Sequence, residues 1–172
     1  MSHIRRARRY THVSSHAFLF ADLCGFTEFT SRNGDERGAE LAVAFHERVR
    51  ELANAERCEV VKSIGDAVMV RSDDVRDALR LSTRVVALGG VAGQPRVRVG
   101  IDLGPAVERA GDWFGSTVNT AARVADTALP GEVIVTERAR AVLADATTVR
   151  LLARGARPLK GLPRTRLHVA AA

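Results

Sequence analysis

Glu59-Val60-Val61-Lys62-Ser63-Ile64-Gly65-Asp66-Ala67-Val68-Met69-Val70-Arg71 holds two short runs rich in β-branched residues on either side of Ile64-Gly65-Asp66. Such runs around a Gly-Asp tip predict a hairpin, with strands over Glu59 to Ser63 and Ala67 to Arg71. Upstream, His16 to Ala21 is apolar through Phe18, Leu19 and Phe20 and predicts a buried strand that ends at Asp22. Between the two, Leu41, Phe45, Val49 and Leu52 recur every three or four residues, which predicts an amphipathic helix over Asp35 to Ala53. A second helix is expected over Asp73 to Leu88, with acids in its first turn and Gly89-Gly90 after its end.

Further along, Arg96 to Leu103 alternates charged and apolar residues as a half-buried strand does, and a shorter strand is expected at Ala106 to Arg109. Helix, strand and helix follow at about Ser116 to Asp126, Glu132 to Thr136 and Glu137 to Ala144. Late strands are expected near Thr148 to Ala153 and Arg166 to Ala170. This order predicts an α+β sandwich with helices against a largely antiparallel sheet. A basic tail over residues 1–15 and one domain over 16–172 account for the chain, with no internal repeat or linker.

With 172 residues the chain is long enough to bury a core. At 46% apolar and 27% charged residues its composition is that of a soluble globular protein. No apolar run nears the roughly 20 residues that span a bilayer, and the arginines of the first ten residues have no apolar stretch after them, so a secretory signal is not expected. Cytoplasmic residence follows as an expectation. Cys24 and Cys58 have neither disulfide-framework nor zinc spacing and read as small core-like thiols. The net charge of +6 and Arg5-Arg6-Ala7-Arg8-Arg9 are compatible with an anionic partner. The tail lacks interleaved aromatics, so no nucleic acid is expected; steep loss of binding with salt would mark that rival reading. His3, His12, His16, His46 and His168 show no metal-ligand spacing and are expected at the surface or half-buried. Trp113 and Phe114 read as core or interface aromatics.

Three strings concentrate the chemistry: Phe20-Ala21-Asp22-Leu23-Cys24-Gly25-Phe26-Thr27, Lys62-Ser63-Ile64-Gly65-Asp66, and Asp112-Trp113-Phe114-Gly115-Ser116-Thr117-Val118-Asn119-Thr120-Ala121-Ala122-Arg123. Singly, each has a structural reading: Asp66 as the acid of a hairpin tip, Asp22 as an acceptor for backbone amides, Asp112 as a loop acid after Gly111, Lys62 as a solvated strand lysine. Asp22 and Asp66 both stand where a strand meets a turn, so neighbouring strands bring two oxygen ligands together. Asn119 and Arg123, four apart, share a helix face. Amides around Gly25, Phe26 and Thr27 can cradle phosphates.

Together the strings resemble the class III adenylyl/guanylyl cyclase catalytic domain, from about His16 to about Val169. The resemblance implies a nucleotidyl cyclase fold, a ferredoxin-like or palm-type sandwich, and conversion of ATP to 3′,5′-cyclic AMP and pyrophosphate. Asp22 and Asp66 would hold two Mg2+ or Mn2+ ions. Lys62 and Asp112 would read adenine, Asn119 would place the ribose, Arg123 would support the α-phosphate, and Lys160 in Pro158-Leu159-Lys160-Gly161 would meet the terminal phosphates. It also implies a head-to-tail homodimer in which each site takes its metal ligands from one chain and the remaining groups from the other. A guanylyl or relaxed-specificity cyclase, and a silent nucleotide-binding domain of the same fold, are the alternatives. Arg57-Cys58 stands where the family often has a Gly-Gly turn.

Overall fold

A computed structural model describes residues 14–90, 93–144 and 148–171. The chain begins with β1 (Ser15–Leu23), α1 (Phe26–Asn33), α2 (Asp35–Ala55), β2 (Glu59–Ile64), β3 (Ala67–Ser72) and α3 (Val75–Val86). It continues with β4 (Val97–Pro105), β5 (Val107–Arg109), β6 (Asp112–Phe114), α4 (Ser116–Ala125), β7 (Val133–Thr136), α5 (Glu137–Leu143), β8 (Arg150–Leu159) and β9 (Leu162–Ala171). Among the described residues seven strands form one sheet in the order β2-β3-β1-β4-β7-β9-β8, and β5 pairs with β6. Of these described strands only β4 and β7 run parallel, so the mixed, mostly antiparallel α+β sandwich is as the sequence predicts.

Period-two alternation divides the two faces of this sheet. Ala17, Leu19, Ala21 and Leu23 of β1 and Val97, Val99 and Ile101 of β4 join the large core that α2, α3 and α5 cover. Phe18 of β1 and Met69 of β3 point the other way and pack with Val118 and Ala121 of α4. Asp22 and Arg98 belong by the same parity to the α4 face, where they are register partners. Lys62 shares that parity through its partner Met69.

Helix α4 lies against β4 at Gly100. A Cβ there would stand 2.1 Å from the Ala125 backbone nitrogen and 2.7 Å from the Ala121 carbonyl oxygen, so only glycine lets the helix sit this close.

Several expectations need correction or completion. The turn expected around Gly25 to Thr27 leads at once into a helix: eight residues, Phe26–Asn33, form α1 with Gly25 in the left-handed conformation at the start, a stretch to which the sequence reading assigns no element. Asp112 lies on strand β6, not in a loop. The last two strands are longer than their apolar runs, because bulges between Ala153 and Gly155 and between Arg157 and Leu159 absorb glycine and proline residues that read as breaks. Pro158 is tolerated because β8 is the sheet edge. Arg57 closes the turn before β2 at φ 57°, taking the conformation that glycine usually supplies.

His16 and His168 are buried, contrary to expectation, each beside an acid: Nδ1 of His16 is 2.8 Å from Asp73 and Nε2 of His168 is 2.6 Å from Glu137. Cys58 is buried and Cys24 half-buried, both as free thiols. The arginine-rich tail, His3 and His12 lie outside the described residues. Among those described, no helix is long and apolar enough to cross a membrane.

Gly100→Ala is expected to destabilise the chain by about 1–3 kcal/mol, the usual range for overpacking, because backbone atoms cannot rotate out of the way. Urea denaturation measures this; an unchanged midpoint would show that α4 is not seated through Gly100.

Candidate active site

Asp22 lies one residue from the end of β1 and pairs in register with Ala67, the first residue of β3. Asp66, in the hairpin tip just before Ala67, is thereby set beside it, near enough for each carboxyl to feel the charge of the other. Burial, and then the negative charge of Asp22, push the Asp66 carboxyl up to about 6. A positive charge nearby offsets such repulsion.

Part of the charge comes from Arg98, which the sequence reading missed. Its Nε and Nη2 donate to one oxygen of Asp22 at 2.8 and 2.6 Å. A charged residue on an inner strand, on the same face as Asp22, was the available signal. Both contacts fall on Oδ2, so Oδ1 of Asp22 is not engaged by Arg98. Nη1 also donates to the Asp126 carbonyl at the end of α4.

The turn into α1 follows directly after β1. Gly25 at φ 76° turns the chain, and Phe26 and Thr27 form the first turn of α1, whose N–H groups have no carbonyl one turn earlier. The amide of Cys24 is fixed by the Arg96 carbonyl at 2.8 Å.

On the outer side of the hairpin, Nζ of Lys62 donates to Oδ2 of Asp112 at 2.5 Å. Asp112 also accepts from the Trp113 amide at 2.8 Å. The Lys62 hydrogen bond holds the Asp112 carboxyl below the usual range. Asn119 and Arg123 share the exposed face of α4, as their spacing predicted, and Arg123 contacts Asp126 at 3.4 Å. Lys160 is exposed at the tip joining β8 and β9. That hairpin stands at the opposite edge of the sheet from β2 and β3. At about 4.8 Å per strand, its side of the sheet lies on the order of 20 Å from Asp66. The single chain therefore gathers Asp22 with Asp66 and Lys62 with Asp112, but does not bring Lys160 to the aspartates.

Among the described residues no group of three or more His, Cys, Asp or Glu side chains gathers as a metal cluster. Two neighbouring carboxylates are hard oxygen donors, which suit magnesium or manganese rather than zinc or copper.

A family model described as the adenylate and guanylate cyclase catalytic domain matches residues 7–170. The chain belongs to this family. The match starts inside the stretch read as a tail. Relatives include the pH-sensitive adenylate cyclase MT1302 of Mycobacterium tuberculosis (strain CDC 1551 / Oshkosh), 41% identical over 74% of this chain and 32% of the relative. An adenylate cyclase of Streptomyces griseus is 37% identical over 67% of this chain and 29% of its own length. The chain thus spans about a third of these curated relatives. The crystal structure of the adenylyl cyclase CyaB from P. aeruginosa shares the fold, with TM-score 0.79 and 18% identity over 92% of this chain and 94% of that one.

Asp66→Asn is expected to raise the melting temperature of the metal-free domain at pH 7.5. The folded-state pKa of Asp66 lies above its ordinary value, so its ionised form opposes folding; stability should rise as pH falls through about 6. After allowance for solvent screening, the gain is on the order of 1 kcal/mol. The same variant should lose stabilisation by manganese. A lower melting temperature than the parent, or full manganese stabilisation, would contradict the charge-repulsion account.

Proposed function

We propose that the chain is an adenylyl cyclase domain that converts ATP to 3′,5′-cyclic AMP and pyrophosphate at composite sites of a head-to-tail homodimer, with residues 16–172 as the catalytic domain. The observation that carries this reading is the Asp22–Asp66 pair, two carboxylates pressed together at the ends of adjacent strands with Arg98 offsetting only part of their charge.

Asp22 and Asp66 would hold two Mg2+ or Mn2+ ions, which when bound activate the ribose 3′-hydroxyl and neutralise charge on the triphosphate. In the reaction the 3′-oxygen forms a bond to the α-phosphorus, the bond from that phosphorus to the bridging oxygen breaks, and the hydroxyl proton leaves to solvent. The amides at Gly25, Phe26 and Thr27 bind the outgoing phosphates. Asn119 orients the ribose, and the planar guanidinium of Arg123 meets charge on the α-phosphate as the five-coordinate state forms. Lys160 contacts the terminal phosphates. Lys62 donates to adenine N1 and Asp112 accepts from the 6-amino group; the ion pair between them keeps the donor and the acceptor side by side.

Dimerisation is supported by the separation of Lys160 from the aspartates and by the outward direction of Asn119 and Arg123. Ile64 beside Asp66 and Phe114 beside Asp112 are 52% and 53% exposed, apolar surface suited to a partner chain. Cytoplasmic residence belongs to the same reading, since ATP and magnesium are present there and Cys24 and Cys58 stay reduced.

Complementation tests the architecture. Asp66→Ala and Arg123→Ala should each leave almost no activity. Mixed in equal amounts with random pairing, they should recover roughly a quarter of the parent rate, since about half the dimers carry one intact site. No recovery, with heterodimers shown by tagged pull-down, would place the whole site in one chain.

Base choice gives a second test. Lys62→Glu combined with Asp112→Ala should lower the ATP-to-GTP ratio of kcat/KM by about tenfold or more, because the donor and the acceptor that match the adenine edge are both lost. An unchanged ratio would remove both residues from base reading.

A further inference from the structure

One large aromatic side chain stands beside Asp112 without a part in the proposed chemistry. Trp113 is the only tryptophan in the chain and follows Asp112 on β6. Phe114 points outward, whereas the Trp113 indole turns onto the main sheet and packs with the Phe18 and Met69 cluster. Its ring centroid is 4.8 Å from the His16 imidazole at 67° and 5.7 Å from the Phe18 ring at 55°. The Arg71 guanidinium carbon stands 4.9 Å from the indole, a cation–π placement.

This cage is itself held in place. His16 and Phe18 are buried on β1, and Arg71 on β3 is the register partner of Phe18. Arg71 is tied to Glu59 at 3.0 Å and to Asp73, while Nδ1 of His16 lies 2.8 Å from Asp73. By contrast, β5 and β6 form a hairpin of three residues per strand with no ladder to the main sheet. So short a hairpin has little stability of its own. Side chains must therefore seat it, and the indole is the largest of those that reach the sheet.

We propose that Trp113 is a positioning residue for base selection. Clamped by His16, Phe18 and Arg71, the indole seats the β5–β6 hairpin and so sets the Asp112 carboxylate at the distance from Lys62 at which both can read one purine edge. The link is short: the amide that orients Asp112, 2.8 Å from its Oδ1, is that of Trp113 itself. The inference rests on the reading of Lys62 and Asp112 as base-recognising groups.

The test uses the full chain with Trp113→Ala, Trp113→Phe, Arg71→Ala and, as reference, Asp112→Asn. The ATP-to-GTP ratio of kcat/KM should fall about tenfold in Trp113→Ala, mainly through KM for ATP, and stay within about twofold of the parent in Trp113→Phe, which keeps an aromatic wedge. Should Trp113→Ala fail to fold, Arg71→Ala carries the test: it should lower the same ratio and shift the emission of the single tryptophan to longer wavelength without any nucleotide. A normal ratio in Trp113→Ala or Arg71→Ala, while Asp112→Asn lowers it, overturns the proposal. An unchanged ratio in Asp112→Asn overturns the base reading and the role of Trp113 in selection with it; the emission of Arg71→Ala then decides separately whether the clamp exists. Unaltered emission in Arg71→Ala overturns the clamp.

Discussion

The contact of α4 with β4 at Gly100 is the constraint on which the site depends. It brings a helix backbone against a strand backbone, a distance that any side chain would prevent. With the helix so placed, its buried edge of Val118, Ala121 and Val124 closes that face of the sheet, and Asn119 and Arg123 are left outside. The same approach carries the end of α4 to Arg98, whose guanidinium reaches both Asp22 and the Asp126 carbonyl. A glycine with no chemistry of its own thus ties the helix of the candidate site to the strand opposite Asp22.

The polar face has an evident cost. Asp22, Arg98, Lys62 and the Asp66 tip lie where an ordinary sheet would bury apolar side chains under a helix. Folding brings two carboxylates together, against both burial and their mutual repulsion. The large core on the opposite face, with Leu19, Val49, Val70, Leu79 and Ile101 almost wholly enclosed, offsets this. That core offsets the charge gathered at one end of the other face, where Phe18 and Met69 still pack under α4.

Much of this was legible in the sequence because strands and helices advertise themselves by period. The hairpin at Gly65-Asp66, the helix at Asp35 and the shared face of Asn119 and Arg123 follow from spacing alone. α1 was lost because its start is a left-handed glycine without a capping side chain, and none of its residues is buried, so it shows no apolar stripe. The length of β8 and β9 was lost because bulges permit glycine and proline inside a ladder. Arg98 escaped notice for a different reason: its charge fits the alternation of a half-buried strand, and only the pairing of β1 with β4 reveals that it faces Asp22. Long-range register is the information a local pattern does not contain.

That register also bears on the order of assembly. β8 and β9 close through a two-residue turn, and β2 and β3 through another, so both hairpins need little loop entropy. Asp22 and Arg98, by contrast, are 76 residues apart in the chain. Bringing their strands together costs about 2 kcal/mol more in loop closure than joining a ten-residue hairpin. Pairing of β1 with β4 is therefore expected late, after the hairpins have formed. Until it happens Asp22 has no guanidinium beside it, so a partly folded chain in which β1 already pairs with β3 holds the Asp22–Asp66 pair without its compensating charge.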